Sequence, residues 1–453
     1  MADSLILQWI ILVVFGVLFF FIAPFSKTKN QFFSAVSKKG KKPDLIILTS
    51  SLVISWIFSK SITNAANLGL EFGIVGGIGY GVYYFSFLVA GIVLYQMRVK
   101  GNFQSIHHFL TTRYGKHAVI LFSILIGIRL FNEVWSNSMV IGSYFGELGS
   151  ISYYFSIAVF TIITLAYVLK GGLRSSLLTD LIQTLFFGFL LILILGAILP
   201  NGKEGVPEYM GSGTWQLDQG VNFILVAFLQ IFSYPFHDPV MTDRAFISDP
   251  RTTLKSFVFA SIIGFVAIVL FSLIGVYGQF NGIAGQATVE VAKSGGILIM
   301  LAMNFIMITS ASSTLDSAFS SFSKLVVKDM NIKTGHPVKT GRWMMLLIAV
   351  AGTVPIFMSP TILSATTISG TMVVGLAPVF LFWKVESSYL SFYLPVIFGI
   401  LMGIVLASGY FPEGLHFSNG KYADLLSANL IGLIGAIILF FIPKLFTSKP
   451  SFS

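Results

Sequence analysis

Residues 309–323 read Thr309-Ser-Ala-Ser-Ser-Thr-Leu-Asp316-Ser-Ala-Phe-Ser-Ser-Phe-Ser323. Seven serines, two threonines and one aspartate take ten of these fifteen positions, yet they close an apolar run that begins near residue 294. That run exceeds the roughly 20 residues a helix needs to cross the hydrocarbon of a bilayer. At helical spacing Ser313, Asp316, Ser317 and Ser320 share one face. A carboxylate at bilayer depth costs roughly 2.5–3.5 kcal/mol on insertion scales, so it calls for a partner or a role. Hydroxyls, carboxylates and freed carbonyls are hard oxygen donors, which suit small hard cations rather than soft metals. Hydroxyls bonded back onto their own helix would account for the serines, but not for Asp316.

Working outward, twelve further apolar stretches accompany this one. The thirteen expected spans are 5–25, 45–67, 73–97, 117–145, 151–169, 176–199, 220–240, 255–278, 294–323, 343–358, 361–383, 388–408 and 426–446. Met358-Ser359-Pro360 is read as a break between two spans rather than a kink in one. The first stretch opens on Asp3 rather than on lysines, runs long, and has no small-residue cleavage site near Pro24. It is read as a retained helix, not a signal peptide. Composition agrees. Of the 453 residues, 55% are hydrophobic and only 10% charged, with a mean hydropathy of +0.86. These values exclude a soluble enzyme, a disordered chain and a nucleic-acid-binding protein. The chain contains no cysteine, hence no disulfide framework and no catalytic thiol. Backbone satisfaction in lipid then dictates an all-α, multi-span membrane helix bundle. Gly73, Gly76, Gly77, Gly79 and Gly81 crowd the third span, where close helix packing explains them better than a nucleotide loop.

The formal charge of +10 has a direction. With the N-terminus outside, the inside loops collect Lys27, Lys29, Lys38, Lys39, Lys41 and Lys42, then Arg98, Lys100, Arg113 and Lys116, then Lys170 and Arg174. Further along they collect Arg244, Arg251 and Lys255, then Lys324, Lys328, Lys333, Lys339 and Arg342, then Lys384, and finally Lys444 and Lys449. Outside loops keep only Lys203, Lys293 and Lys421. This asymmetry places the N-terminus outside and the C-terminus in the cytoplasm of a plasma or inner membrane. His107, His108, His117 and His336 fall in inside loops or their edges and His416 in an outside loop, where solvation is expected.

Charged residues left at membrane depth are Lys60, Arg129, Glu133, Asp180, Asp238 and Asp316, with His237 beside Asp238. Arg129 and Glu133 lie four apart and can pair along one helix, as a structural ion pair or as the lining of a solute cavity. Asp180 can be a first-turn acid at the membrane interface or part of a site. In Tyr234-Pro-Phe-His-Asp-Pro239 two prolines four apart are incompatible with an unbroken helix. This is either a helix terminus or one of the mid-membrane breaks that carry substrate and ion sites in transporters.

Three segments carry a resemblance to the sodium:solute symporter family. Phe109-Leu-Thr-Thr-Arg113-Tyr-Gly115 is similar to its FLxxRYG loop, and Gly171-Gly-Leu-Arg-Ser-Ser-Leu-Leu-Thr-Asp-Leu-Ile-Gln183 to its GGLRA…TDxxQ segment. Ser310-Ala-Ser-Ser313-Thr314-Leu-Asp316 is similar to its AxxS[ST]L[DS] segment. Ile54-Ser-Trp56-Ile-Phe-Ser-Lys60 is more similar to the urea and polyamine branch than to the proline or sugar branches. The resemblance implies an inverted repeat of five plus five helices, as in amino-acid/sodium symporters. The first repeat would span 45–199 and the second 220–383, with a leading helix at 5–25 and two trailing helices at 388–446. It implies a sodium ion held by backbone carbonyls of Ser55, Phe58 and Ser310 and by the hydroxyls of Ser313 and Thr314. A second sodium position maps to Asp180, Ser313, Asp316 and Ser317. The solute would lie near Trp56, Lys60, Glu133, Tyr234, His237 and Asp238.

Two positions depart from the family pattern. Ser310 replaces an alanine whose carbonyl alone is needed. Lys60 stands where the family has a small or polar residue. Its ammonium is expected to pair with Asp316 or Asp180, to bind an anionic group of the solute, to take the ion's place, or to snorkel without a role. The expected function is sodium-coupled symport of a small polar organic solute across the lipid bilayer by alternating access. The alternatives are a sensor or regulatory protein on a transporter scaffold, and a proton-coupled or uncoupled carrier in which Lys60 replaces the ion. No nucleophile–base constellation points to an enzyme.

Overall fold

Where the chain breaks its helices matters more to this bundle than where it forms them. The computed structural model describes residues 2–35, 41–201, 204–330 and 333–446. Lys38, Lys39, Lys203 and Lys449 of the charge count lie outside them. The leading helix α1 (Ala2–Ile22) and a short α2 (Lys29–Ser34) precede α3 (Leu45–Trp56) and α4 (Ser59–Phe72). Next come α5 (Ile74–Val82), α6 (Ser86–Val99), α7 (Ile106–Tyr114), α8 (Lys116–Phe145), α9 (Ile151–Gly171) and α10 (Leu173–Ile198). A short α11 (Val206–Met210) leads into α12 (Asn222–Gln230), α13 (Pro239–Arg244), α14 (Pro250–Phe280), α15 (Ala287–Ser294) and α16 (Ile297–Lys324). The chain ends with α17 (Pro337–Thr353), α18 (Ser364–Met372), α19 (Leu376–Leu381), α20 (Leu390–Ala407) and α21 (Ala423–Phe446).

Ten helices among the described residues are long and apolar enough to cross a membrane, eleven if the bent pair α3–α4 counts as one. The other two expected spans, 220–240 and 361–383, are present as interrupted pieces: α12 with α13, and α18 with α19. The expected break near Pro360 is real. A tight 3-10 turn closes α17 at Val354–Met358, and Ser359 adopts a positive φ of 49°. Large apolar side chains such as Phe21 on α1, Phe189 and Ile192 on α10 and Val350 on α17 face outward. That surface is what a helix bundle offers to lipid.

The serine-rich α16 is the axis. In its most apolar window 78% of positions are buried, against 28% for α1, so α16 belongs to the core and α1 to the periphery. It packs against α8, α10 and α17, while α14 packs on α3 and α4. Small residues set that second contact. A Cβ on Gly275 would strike the backbone carbonyl of Ala66, and one on Gly69 the carbonyl of Ser272. The backbones of α4 and α14 therefore approach as closely as glycine allows. The glycine cluster of α5 serves the same end, with Gly77 against Ser272.

Two loop readings need correction. The charge count assigns Arg244 to an inside loop, but it ends α13 and is fully buried. His107 was expected in water, but it is only partly exposed, packs edge-on to Phe122 with ring centroids 5.7 Å apart, and leaves Nε2 buried without a partner.

Candidate solute and cation sites

Helix α3 ends at Trp56 and α4 begins at Ser59, with a 57° bend between them. No proline or glycine lies at this break, so tertiary partners hold it open. Tyr84 Oη donates to the Trp56 carbonyl at 2.9 Å, and Ser310 Oγ donates to the Ile57 carbonyl. Asn137 Oδ1 accepts from Ser59 Oγ at 3.0 Å and from the Lys60 N–H at 3.2 Å. The second break has a local cause. Pro235 and Pro239 lack N–H groups, so α12 stops at Gln230, residues Tyr234–His237 form a 3-10 turn, and α13 starts at Pro239. Asp238 caps α13 by accepting from the Val240 N–H at 2.8 Å.

Four charged side chains meet between the two breaks. Lys60 Nζ lies 2.7 Å from Glu133 Oε1. Arg129 pairs with Glu133 one turn along α8 and with Asp238 at 2.8 Å. Trp56 Nε1 donates to Asp238 at 2.8 Å. All four are at most 5% exposed, and their formal charges sum to zero. Aromatic rings enclose them. The Arg129 guanidinium lies 4.8 Å from the Tyr234 ring centroid, and Lys60 Nζ 4.9 Å from that of Phe58. Only small cavities remain here. One of about 10 Å³ is lined by Trp56, Tyr80, Tyr83, Tyr234 and Thr366 among others, and one of similar size by Phe58, Arg129, Glu133, Asp238 and Thr314 among others. The region is closed, with its four charged side chains paired to one another.

A second cluster lies among α3, α10, α13 and α16. Ser313 Oγ donates to Asp180 Oδ1 at 2.5 Å, while Ser51 and Ser55 donate to Oδ2 at 2.5 and 3.1 Å. Ser55 Oγ also lies 3.3 Å from Ser313 Oγ and 3.1 Å from Ser317 Oγ. Asp316 accepts from Tyr167 Oη and Ser176 Oγ, each at 2.7 Å, and from Thr179 Oγ1 at 3.2 Å. Ser317 Oγ donates to Asp316 Oδ1 at 3.4 Å and lies 3.1 Å from the Oγ of Ser55, which donates to Asp180. Both carboxylates are fully buried, so Asp180 is not an interfacial acid. The guanidinium of Arg244 enters this cluster. Nε donates to Ser51 at 2.7 Å, and Nη2 lies 3.0 Å from Ser55, 2.9 Å from Ser317 and 3.3 Å from Asp180.

The residues expected to form a second sodium position, Asp180, Ser313, Asp316 and Ser317, are thus together. Their carboxylate and hydroxyl oxygens are the chemistry a small hard cation takes. The set expected for the first position is differently engaged. Thr314 Oγ1 donates to the Ser310 carbonyl at 3.0 Å, and the Phe58 carbonyl accepts the N–H groups of Ser61 and Ile62. Ser310 contributes a hydroxyl across the break as well as its carbonyl. Among the expected solute residues, Trp56, Lys60, Glu133, Tyr234 and Asp238 surround the first cluster. His237 turns Nδ1 toward the Tyr234 carbonyl at 2.6 Å and keeps Nε2 buried without a partner. Lys60 pairs with Glu133, not with Asp180 or Asp316. Arg244, Tyr167, Ser176 and Ser51 escaped the sequence reading. Charge balance held the missing signal: Glu133, Asp180, Asp238 and Asp316 are four buried acids against Lys60 and Arg129, which are two bases.

Comparison with known proteins gives the fold and a family likeness over part of the chain. The chain aligns with a sodium-coupled sialic acid symporter in a substrate-bound outward-open state over 99% of each chain, at 14% identity and a TM-score of 0.71. It aligns with Mhp1, a nucleobase-cation-symport-1 family transporter, in a closed conformation with bromovinylhydantoin bound, over 94% of this chain and 97% of that one (12% identity, TM-score 0.60). It aligns with MhsT in complex with L-phenylalanine over 92% and 99% (14% identity, TM-score 0.54). No curated protein matches the sequence. Residues 44–210, which carry the first broken helix, two of the three recognised motifs and Asp180, match the model of the sodium:solute symporter family. Over those residues, a little over a third of the chain, the sequence is similar to the sodium:solute symporter family, and over nearly its whole length the fold is similar to that of solved ion-coupled symporters.

Proposed function

We propose that the protein carries a small polar organic solute together with a sodium ion across the cytoplasmic membrane by alternating access, with its N-terminus outside. One observation carries this reading: the buried charges gather at the breaks of two helices and tie them to α8, α10 and α16. Broken helices at mid-membrane are where transporters of this architecture bind their cargo. The two five-helix repeats are assigned to 45–199 and 220–383, each opening on its broken helix.

The solute region is best suited to a neutral or zwitterionic molecule. Lys60 and Arg129 offer donors to an anionic or carbonyl group, and Glu133 and Asp238 offer acceptors to an amine or amide. Because the four already pair, a solute enters by exchanging partners rather than by filling a void. An unpaired ionic solute would leave one buried charge uncompensated, at a cost of several kcal/mol. Trp56 and Tyr234, with ring centroids 6.0 Å apart, close the region beside Asp238. On the cytoplasmic side in this orientation, Lys324 of α16 pairs with Asp243 of α13, and Ser321 donates to the same carboxylate at 2.9 Å. These contacts hold α13 against α16 and have to part for inward release.

A bound sodium ion would supply one positive charge to the Asp180–Asp316 cluster, with Ser313 and Ser317 as further oxygen ligands. Coupling requires that the ion bind the outward and inward states with different free energies. The test is uptake of radiolabelled neutral and zwitterionic solutes into proteoliposomes under an inward sodium gradient. A solute accumulated only under that gradient supports the reading. Accumulation indifferent to sodium sinks it.

A further inference from the structure

The two buried acids of the cation cluster have unequal company. Asp180 faces a guanidinium, whereas Asp316 faces hydroxyls alone and takes part in no ion pair among the described residues. Building on the symporter reading above, we propose that Arg244 is a built-in cation that stands in for one coupling ion at Asp180. The cluster then takes up a single mobile sodium ion, at Asp316, and gains a second sodium position only when the guanidinium is removed.

Three features lead there. First, Arg244 uses the oxygens a cation at Asp180 would need. Its Nη2 lies within 3.3 Å of Ser55, Ser317 and Asp180, while Nε takes Ser51. A guanidinium spreads one charge over a planar fork, so it meets several oxygens at once where sodium would have to draw them inward. Second, the neighbouring bridge is also made by the protein itself. Ser310, with its hydroxyl on the Ile57 carbonyl, links α16 to the break between α3 and α4. Third, charge at depth is nearly but not fully balanced. Lys60, Arg129 and Arg244 face Glu133, Asp180, Asp238 and Asp316, which leaves one negative charge. It falls on Asp316, whose neighbours Tyr167, Ser176, Thr179 and Ser317 are all hydroxyl-bearing and all able to turn a lone pair toward a small cation.

Arg244 lies at the end of α13, the short piece that follows the second break, and contacts α3, α10 and α16. The tethered charge therefore ties the broken helices of both repeats to the same two neighbours. A mobile ion at this place leaves when the gradient falls. A tethered one stays with the chain.

The experiment uses the full chain in detergent, with thermal stability followed against sodium chloride and ionic strength held constant with choline chloride. Wild type should show a single-site sodium response that Asp316→Asn removes. In Arg244→Ala the sodium response should grow, with an apparent constant lower by about tenfold. Millimolar methylguanidinium should raise that constant again while leaving wild type unaffected. A sodium response in Arg244→Ala that equals that of wild type, or is absent, overturns the proposal, as does indifference to methylguanidinium. Should Arg244→Ala fail to fold, Asp180→Asn/Arg244→Gln removes both partners together. Retention of the wild-type sodium response in that double variant supports a mobile ion at Asp316, and its loss overturns it. Sodium-independent uptake by wild-type vesicles would defeat the symport reading separately, since the competition between sodium and methylguanidinium is read without transport.

Discussion

Lys60 Nζ lies 2.7 Å from Glu133 Oε1, and neither side chain is more than 6% exposed. The ammonium is therefore a member of the charged quartet between the two helix breaks, held by an acid 73 positions away in sequence. It also stabilises the break itself, because its backbone N–H is anchored by Asn137.

Lys60→Ala should destabilise the protein by about 3–5 kcal/mol, because it leaves two buried acids to share Arg129. Lys60→Met/Glu133→Gln should recover most of that loss while remaining inactive in uptake. Chemical denaturation of both variants in detergent checks the pair. Equal stability of the single and double variants would show that the ion pair is not what the fold depends on.

Trp56→Phe keeps an aromatic ring among Tyr84, Phe87 and Tyr234 but deletes the donor to Asp238. Hydrogen bonds to charged groups contribute about 1.5–3 kcal/mol, so a stability loss of that order is expected. Solute affinity should fall with it. Titration calorimetry with the transported solute, beside a melting curve, measures both.

Gly275→Ala should be far more damaging than Gly278→Ala. A Cβ on Gly275 collides with the Ala66 carbonyl and comes within 2.6 Å of the Leu70 nitrogen, both backbone atoms. On Gly278 it would meet side-chain atoms, Leu70 Cδ1 and Val291 Cγ2 at 3.2 Å and Ile283 Cβ at 3.7 Å, and no backbone among them. Overpacking that forces backbone to shift costs about 1–3 kcal/mol or more. Expression level and melting temperature of the two variants should separate clearly, and matching values would refute the close packing of α4 on α14.

Burial holds the His107 imidazole below its ordinary pKa of 6.5, with Lys324 acting in the same direction and Asp329 and Asp243 opposing. The folded state therefore keeps His107 neutral where the unfolded chain would protonate it. The stability this represents is complete above about pH 6.5 and is lost as the pH falls from there toward the lowered folded value. Wild type should melt at lower temperature as pH drops through that window. His107→Phe should flatten the dependence, and an unchanged slope in that variant would assign the effect elsewhere.

The many-span helical bundle was legible because lipid allows few alternatives, and the second break because Pro235 and Pro239 announce it. Nothing local announces the first break. Ile57 and Phe58 are ordinary helix residues, and Tyr84, Asn137 and Ser310 hold them apart from distant positions. Asp180 and Asp316 stood out as acids at depth. Arg244 did not, because an arginine shortly after a predicted span counts as a loop charge until the preceding helix is known to be broken and drawn inward. The partner of Lys60 was equally hidden. Pairing across 73 residues is set by how α4 crosses α8, which the pattern of apolar residues leaves open.

The neutrality of the Lys60–Glu133–Arg129–Asp238 quartet has an electrical consequence. A field acts on net charge, and one elementary charge crossing 100 mV is worth about 2.3 kcal/mol. A quartet that sums to zero and, on the proposed reading, takes in and releases a zwitterion presents no net charge for the membrane potential to pull. On the proposed mechanism the voltage sensitivity of substrate and ion binding then falls to the single negative charge left at Asp316 and to the cation that neutralises it. The current carried per turnover then becomes a count of mobile ions, the same for every neutral or zwitterionic solute.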